Sequence, residues 1–368
     1  MTDRSDRPVT MAEVGAAAGV TDRTVSNVLS GKVPVRPETR AAVLRAVDEL
    51  GYRLNATARG LRTGRTGTIT LALPDMGYDY FSQLAHAVMT EADHFGWAVT
   101  IVQTGARPER EQALLTGTDP QISDGLIIQP YAVGPENGHR ALRQHDQARH
   151  RPPIVLLGDR IINEAIDHVL MDNTPAARVA TEHLIATGRA AIGVIGPDPA
   201  DATPGSGAVR LEGYRQALRQ AGLPWRPDLV RPAAAWRRAE GAAATDELLQ
   251  AHPEVDALFC CNDDLALGAM YAVHRRGLRV PEDVAVVGFD NVTAATFSHP
   301  PLTTIDSGGP LIARTAVKLL AERLDPTSSA APPRKVIADF HLVQRGSTAG
   351  TAVSTPDDVP RGGPAPRA

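Results

Sequence analysis

From residue 68 onward, short apolar runs alternate with amphipathic stretches. TITLALP (68–74) precedes a helix predicted near 80–95, and AVTIV (98–102) precedes one near 108–115; GLIIQP (125–130) and PIVLLG (153–158) follow. The cycle then restarts. HVLMDN (168–173), AAIGVIG (190–196), ALFCCND (257–263) and VAVVGFD (284–290) read as strands, with helices near 175–187, 209–221, 239–250 and 264–276. Strands that are apolar along their whole length are covered on both faces, which is the habit of parallel sheets flanked by helices. Two such series predict two doubly wound lobes in succession with a cleft between them. Ligands of open α/β sheets bind beyond the carboxyl ends of the strands.

Residues 1–66 follow a helical period instead. Thr10-Met11-Ala12-Glu13 is a capping box, and Val9 and Val14 stand where a hydrophobic staple needs them. That helix stops at Gly19. A second begins at the N-cap residue Thr21 and runs to about Leu29, and a third runs from Pro37 to Leu50 with Gly51 as its stop. Ala42, Val43, Ala46, Val47 and Leu50 share one face of the third helix. The fold class is therefore α/β: a small all-α helix-turn-helix headpiece ahead of a two-lobed, doubly wound parallel-sheet body. The boundaries expected are 1–53 for the headpiece, 54–66 for a hinge helix and linker, 67–348 for the body, and 349–368 for a disordered tail rich in Pro, Gly, Thr and Ala.

Charge sharpens this division. Residues 1–66 carry 11 Lys/Arg against 7 Asp/Glu, a net of +4, in a chain whose total is −4. A basic head on an acidic body is the electrostatic footprint expected for a polyanion bound at one end. No apolar run reaches the roughly 18 residues of a membrane span, and MTDRSDRPVT lacks the basic start and apolar core of a secretory signal. The two cysteines, Cys260 and Cys261, are adjacent. They read as small buried residues, in keeping with a reducing cytoplasm.

Between the first two helices, Gly19-Val20-Thr21 forms the turn of a helix-turn-helix, whose second helix enters the major groove. Val25, Val28 and Leu29 face inward, leaving Asp22, Arg23, Ser26 and Asn27 outside. Arginine grips guanine through two hydrogen bonds and asparagine does the same for adenine, while the hydroxyls of Thr24 and Ser26 suit phosphate. An ordinary helical hairpin with a solvated polar face is the competing reading. The detail of VTMAEVGAAAGVTDRTVSNVLSG (9–31) and VRPETRAAVLRAVDELGYRLNATARGLRTGRTGTI (35–69) favours the first, because both segments resemble the headpiece of the LacI/GalR family of repressors. The resemblance continues to about residue 348. Gly15, Thr21 and Ser30 replace the usual Ala, Ser and Asn, and Asn27 stands where Arg is frequent, which leaves the operator sequence open.

The resemblance implies DNA contacts from Thr10, Asp22, Arg23, Thr24, Ser26, Asn27 and Thr39. It also implies a hinge helix at 55–61 that orders when two subunits meet on DNA, with Leu61 wedged into the minor groove, Ala58 facing the same groove and Arg62 near phosphate. On the bare residues, 55–67 is a flexible basic linker. Arg59, Arg62 and Arg65 predict a steep salt dependence in either case.

LFCCNDDLALGAMYAVHRRGLRVPEDVAVVGFDN (258–291) is similar to the same family's effector-binding segment. Asn262 and Asp290 end strands aimed at the cleft and are expected to touch the ligand, whereas Asp263 is expected to cap the following helix. Arg210 and Trp236 match effector-contacting positions, as do Tyr80 and Phe81 in the first lobe, with Asp159 a weaker candidate. For Phe81, core packing competes. Aromatic faces with Asn, Asp and Arg suit a small polyhydroxyl ligand such as a sugar, with a purine as the alternative. The loop 197–208 has no phosphate-binding glycine register, and no catalytic triad or metal motif is evident. Isolated histidines, His168, His183 and His299, are expected on surfaces or in packed loops.

The expectation is a cytoplasmic, allosteric DNA-binding regulator, periplasmic-binding-protein-like in its body, with no cofactor and no enzymatic activity. Its partners are double-stranded DNA bearing a palindromic operator, a small-molecule effector and a second copy of the chain. The tail has no leucine heptads, which points to a dimer. A purine-type corepressor-dependent regulator and a solute-binding protein without DNA affinity are the alternatives.

Overall fold

The computed structural model describes residues 9–30, 33–52, 65–118, 123–147, 152–158, 165–197, 205–329 and 331–348. The chain divides into two compact units, 1–66 and 67–368. The expected hinge helix, with Ala58, Leu61 and Arg62, lies outside the described residues, as do Asp159 and the 349–368 tail.

In the first unit, α1 (Met11–Ala18), α2 (Asp22–Ser30) and α3 (Pro37–Glu49) enclose a core of Val14, Val25, Val28, Val43, Ala46 and Tyr52. The capping box forms: the Thr10 hydroxyl accepts from the Glu13 amide at 3.3 Å, and the Glu13 carboxylate accepts from the Thr10 amide at 2.7 Å. Gly19 ends α1 in the left-handed conformation at φ 67°, a position glycine fills without steric cost. The turn folds tightly against α1. A side chain at Gly15 would place its Cβ 2.7 Å from the Val20 carbonyl oxygen, so the small residue here sets how closely the turn approaches. Leu50, expected on the buried face of α3, is 39% exposed. Tyr52 takes its place in the core after the Gly51 reversal.

The second unit holds two six-stranded sheets. The first contains β1 (Thr68–Leu73), β2 (Ala98–Gln103), β3 (Gly125–Ile128), β4 (Ile154–Leu157) and β5 (Asp167–Met171), all parallel. The chain then enters the other lobe through the helix Asn173–Ala186, and builds β6 (Ile192–Gly196), β7 (Val230–Pro232), β8 (Ala257–Cys260), β9 (Ala285–Phe289) and β10 (Thr303–Asp306). It returns with the helix Gly309–Leu324, which packs on β3, β4 and β5, and adds β11 (Lys335–Ala338) beside β5. Last, β12 (His341–Val343) crosses back to pair antiparallel with β10. The strand orders are β11-β5-β4-β3-β1-β2 and β12-β10-β9-β8-β6-β7.

Two halves in simple succession are therefore not what forms. HVLMDN contributes β5 to the first sheet rather than opening the second, and the C-terminal helix Gly309–Leu324 completes the first lobe. Local pattern marks strands but carries no information on which sheet receives them. His168 also departs from expectation: it lies buried within β5, where its Nε2 meets the Gly158 carbonyl.

Each lobe has its own core, of Leu71, Leu84, Ile127 and Leu320 in the first and Tyr214, Leu248, Phe259 and Phe289 in the second, among others. Tyr80 packs against both. In each sheet the strand order reverses beside the first strand of its lobe, between β1 and β3 and between β6 and β8. The segments leaving these four strands face the cleft, which is where doubly wound sheets hold ligands.

Candidate functional site

A cavity of about 340 Å³ opens between the lobes. Its wall is built from strand ends of both sheets: Pro74, Asp75, Tyr78, Tyr80 and Phe81 beyond β1, Gln129 and Tyr131 beyond β3, Asn262 beyond β8 and Asp290 beyond β9. Asn173, Arg210 and Trp236 complete it. Of the effector residues expected from sequence, Tyr80, Phe81, Arg210, Trp236, Asn262 and Asp290 all reach this one cavity, and Asp159 lies outside the described residues.

Arg210, on the helix Ser206–Gln220, is 8% exposed and held on several sides. Its Nε donates to Asn173 Oδ1 at 2.8 Å, and its Nη1 to the Cys261 carbonyl. Its Nη2 lies 3.7 Å from Asp290 Oδ1. The guanidinium carbon sits 3.6 Å over the Phe289 ring and 5.7 Å from that of Trp236, so the cation is flanked by aromatic faces. Asp290 occupies φ 109°, a backbone region that non-glycine residues enter at a cost of about 1–3 kcal/mol. Burial pushes its carboxyl up to about 7, against the downward pull of Arg210. The site thus contains one buried cation and one carboxyl poised near neutrality, and the protonation of Asp290 decides whether the pair carries net charge.

Trp236 donates its indole N–H to the Gly196 carbonyl at 3.0 Å and packs on the second-lobe core, leaving part of the ring to the cavity. Asn262 plays two parts. Its Oδ1 caps the helix Asp263–Arg275 by accepting from the Leu265 amide at 2.9 Å, and its Nδ2 donates to the Trp236 carbonyl at 2.9 Å. The cap expected of Asp263 is therefore made by Asn262. Asp263 is fully buried and reaches sideways instead, accepting from the Val292 amide at 2.8 Å and the Thr304 hydroxyl at 2.5 Å. It ties the loop after β9 to β10, and burial raises its carboxyl well above the usual range. Phe81 both packs on the first-lobe core and lines the cavity, in edge contact with Tyr80 at 5.3 Å.

Several wall residues escape a reading of local pattern. Tyr131 is one. The buried Glu111 carboxylate, far away in sequence, accepts the amides of Tyr131, Ala132 and Val133 at 2.8–3.1 Å and shapes the loop that carries it. Gln129, Asn173 and Tyr78 are others. Their only sequence signal is position, one or a few residues past a strand.

In the first unit, Asp22, Arg23, Thr24, Ser26 and Asn27 lie on α2, Thr10 caps α1, and Thr39 lies in the first turn of α3. Val25 and Val28 are buried, whereas Asp22 and Arg23 are exposed. Thr24 Oγ1 meets Thr21 Oγ1 at 3.1 Å at the start of α2.

The family model for bacterial regulatory proteins of the lacI family matches residues 10–55, and that for the periplasmic binding protein-like domain matches 181–348. The HTH-type transcriptional regulator CelR of Thermobifida fusca is 34% identical over 354 residues, which cover 94% of this chain and 99% of CelR. The chain belongs to the LacI family. Among solved structures, this LacI-family chain matches a CelR–cellobiose complex with a TM-score of 0.65 at 31% identity, covering 93% of this chain and 100% of the other. It matches the lac repressor dimer bound to operator and the anti-inducer ONPF with a TM-score of 0.79 at 27% identity, covering 93% and 99%. The protein is a DNA-binding transcriptional regulator and not an enzyme. Among the described residues no helix is long and apolar enough to cross a membrane.

Proposed function

We propose that this regulator is a cytoplasmic, homodimeric repressor of a metabolic operon whose hold on a palindromic operator is controlled by a neutral sugar bound between the lobes. The observation that carries the sugar assignment is the chemistry of the cavity. Tyr80, Phe81 and Trp236 offer aromatic surface for the faces of a sugar ring. Arg210, Asn262, Asp290 and Asn173 offer paired polar groups for hydroxyls. The Arg210 guanidinium is already engaged by Asn173, the Cys261 carbonyl and Asp290, which leaves little of it to match a charge on the ligand, and an unmatched buried charge is costly. A volume of about 340 Å³ falls at the small end of ligand pockets, which suits a mono- or disaccharide. The similar CelR structure holds cellobiose, which makes cellobiose the first probe.

On the DNA side, Asp22, Arg23 and Asn27 read base edges. Thr24, Ser26, Thr10 and Thr39 serve phosphate, and Ala58, Leu61 and Arg62 belong to the minor-groove hinge. Dimerisation is supported by large apolar side chains left exposed on the second unit, Phe297 at 80% and Tyr271 at 61%.

The test is selection from random duplex DNA with the purified full chain at low salt, followed by titration of the enriched duplex with cellobiose, ribose and hypoxanthine. An enriched palindrome released by a sugar is the expected result. Enrichment only when a purine is present overturns the sugar assignment, and the absence of any enrichment, with or without these ligands, overturns the operator reading.

A further inference from the structure

Two consecutive arginines beside Trp236 cross the cleft. Arg237 Nη2 pairs with Asp75, its Nη1 donates to the Gly77 carbonyl at 3.3 Å, and its guanidinium carbon lies 4.5 Å from the centre of the Tyr78 ring. Arg238 Nη2 pairs with Asp79 at 2.7 Å, while its Nε holds Asp264 at 2.7 Å. Asp75, Gly77, Tyr78 and Asp79 belong to the first lobe, and both arginines and Asp264 to the second.

The placement has an electrostatic logic. Arg237 is the N-cap of the helix Arg238–Ala251 and Arg238 its first residue. Cations are unfavourable at the positive end of a helix, so these side chains gain from acids brought in by the opposite lobe. The approach is close at Gly77, where a Cβ would lie 3.0 Å from the Arg237 guanidinium nitrogens and would push them aside by a few tenths of an ångström. Asp75 and Tyr78, both held by Arg237, line the ligand cavity, and Trp236, the preceding residue, forms its opposite wall.

We propose that Arg237 and Arg238 form a cross-cleft latch that holds the lobes closed and positions the first-lobe wall of the effector cavity, so that latch strength sets effector affinity. The inference rests on the effector reading above for its second half only. The pairs are partly exposed, at 43% and 31% for Arg237 and Asp75 and 53% and 42% for Arg238 and Asp79. Exposed ion pairs are individually weak and screened by salt, so the latch tunes an equilibrium and does not lock it.

The experiment uses the full-length chain spin-labelled at Glu109→Cys in the first lobe and Gln250→Cys in the second, both exposed sites; the native cysteines are fully buried. Without ligand, the Arg237→Ala/Arg238→Ala variant is expected to broaden and shift the inter-lobe distance distribution relative to the parent. Its affinity for cellobiose is expected to fall about three- to tenfold, as befits two weak pairs, with Arg237→Lys intermediate. Raising salt to 0.5 M should weaken the parent toward the variant and leave the variant nearly unchanged. An unaltered thermal midpoint checks the fold. Superimposable distance distributions overturn the latch. If cellobiose and ribose bind neither protein while the distances still differ, the latch stands and the sugar reading falls. If the distances differ but both proteins bind cellobiose equally, the link to affinity is wrong.

Discussion

Asp290 concentrates what the site demands of a single residue. It stands in a strained backbone conformation, nearly buried, with its carboxyl pushed up to about 7 by burial. Because the folded value lies above the ordinary carboxylate value of 3.8, the folded state holds a proton that the unfolded chain has released between those two pH values. Stability from this group is complete below the unfolded value and is lost as pH rises toward 7, by on the order of 4 kcal/mol if it titrated alone. Asp263 acts in the same sense and stays in place in a variant at 290. Asp290→Asn should therefore reduce, without abolishing, the fall in unfolding midpoint between pH 5 and 8, and should bind sugar more weakly. Denaturant melts of parent and variant across that range decide it; parallel pH profiles would show that Asp290 is ionised throughout. Stability given up where a ligand is bound is a common pattern of functional sites.

At the scale of elements, the second lobe depends on two helices that touch main chain to main chain. Gly268, in the helix Asp263–Arg275, lies against the start of the helix Arg238–Ala251, and a Cβ there would overlap the Arg238 carbonyl. Gly268→Ala raises intrinsic helix propensity by about 1 kcal/mol. The methyl group nevertheless meets rigid backbone on a packed neighbour, and overpacking of that kind costs about 1–3 kcal/mol. Net destabilisation is expected, with the Arg238 end of its helix displaced. Chemical denaturation and the inter-lobe label distances both report it, and a stabilised variant would mean that the helices separate freely. The same contact shows what sequence does and does not reveal. Helical periodicity places both helices, and the Asn262-Asp263 pair announces a helix start. Which of the two caps it depends on the loop after β9, because Asp263 is drawn away by Val292 and Thr304.

At the scale of the whole molecule, the proposed dimer can be tested at one residue. Phe297 is 80% exposed on a short helix, Thr293–Phe297, a costly position for a phenyl ring that nothing covers. Phe297→Arg should shift sedimentation from dimer toward monomer at micromolar concentration. It should also weaken binding to a palindromic operator by at least about tenfold while affecting a single half-site little, since the second headpiece no longer shares the complex. Unchanged sedimentation would remove Phe297 from the interface.

The sequence by itself determined whatever is written in short-range chemistry: the capping box and turn of the headpiece, the strands and most helices of the body, and the residue types of the cleft. These follow from hydrogen-bond donors and side-chain periods within a few residues of each other. Tertiary structure alone decided the sorting of strands into lobes, with β5, the helix Gly309–Leu324 and β11 assigned to the first. It likewise set the tie from Glu111 to the Tyr131 loop, the burial that lifts Asp290 and Asp263, and the pairing of Arg237 and Arg238 across the cleft. Each of these rests on groups distant in the chain, which only the folded backbone brings together.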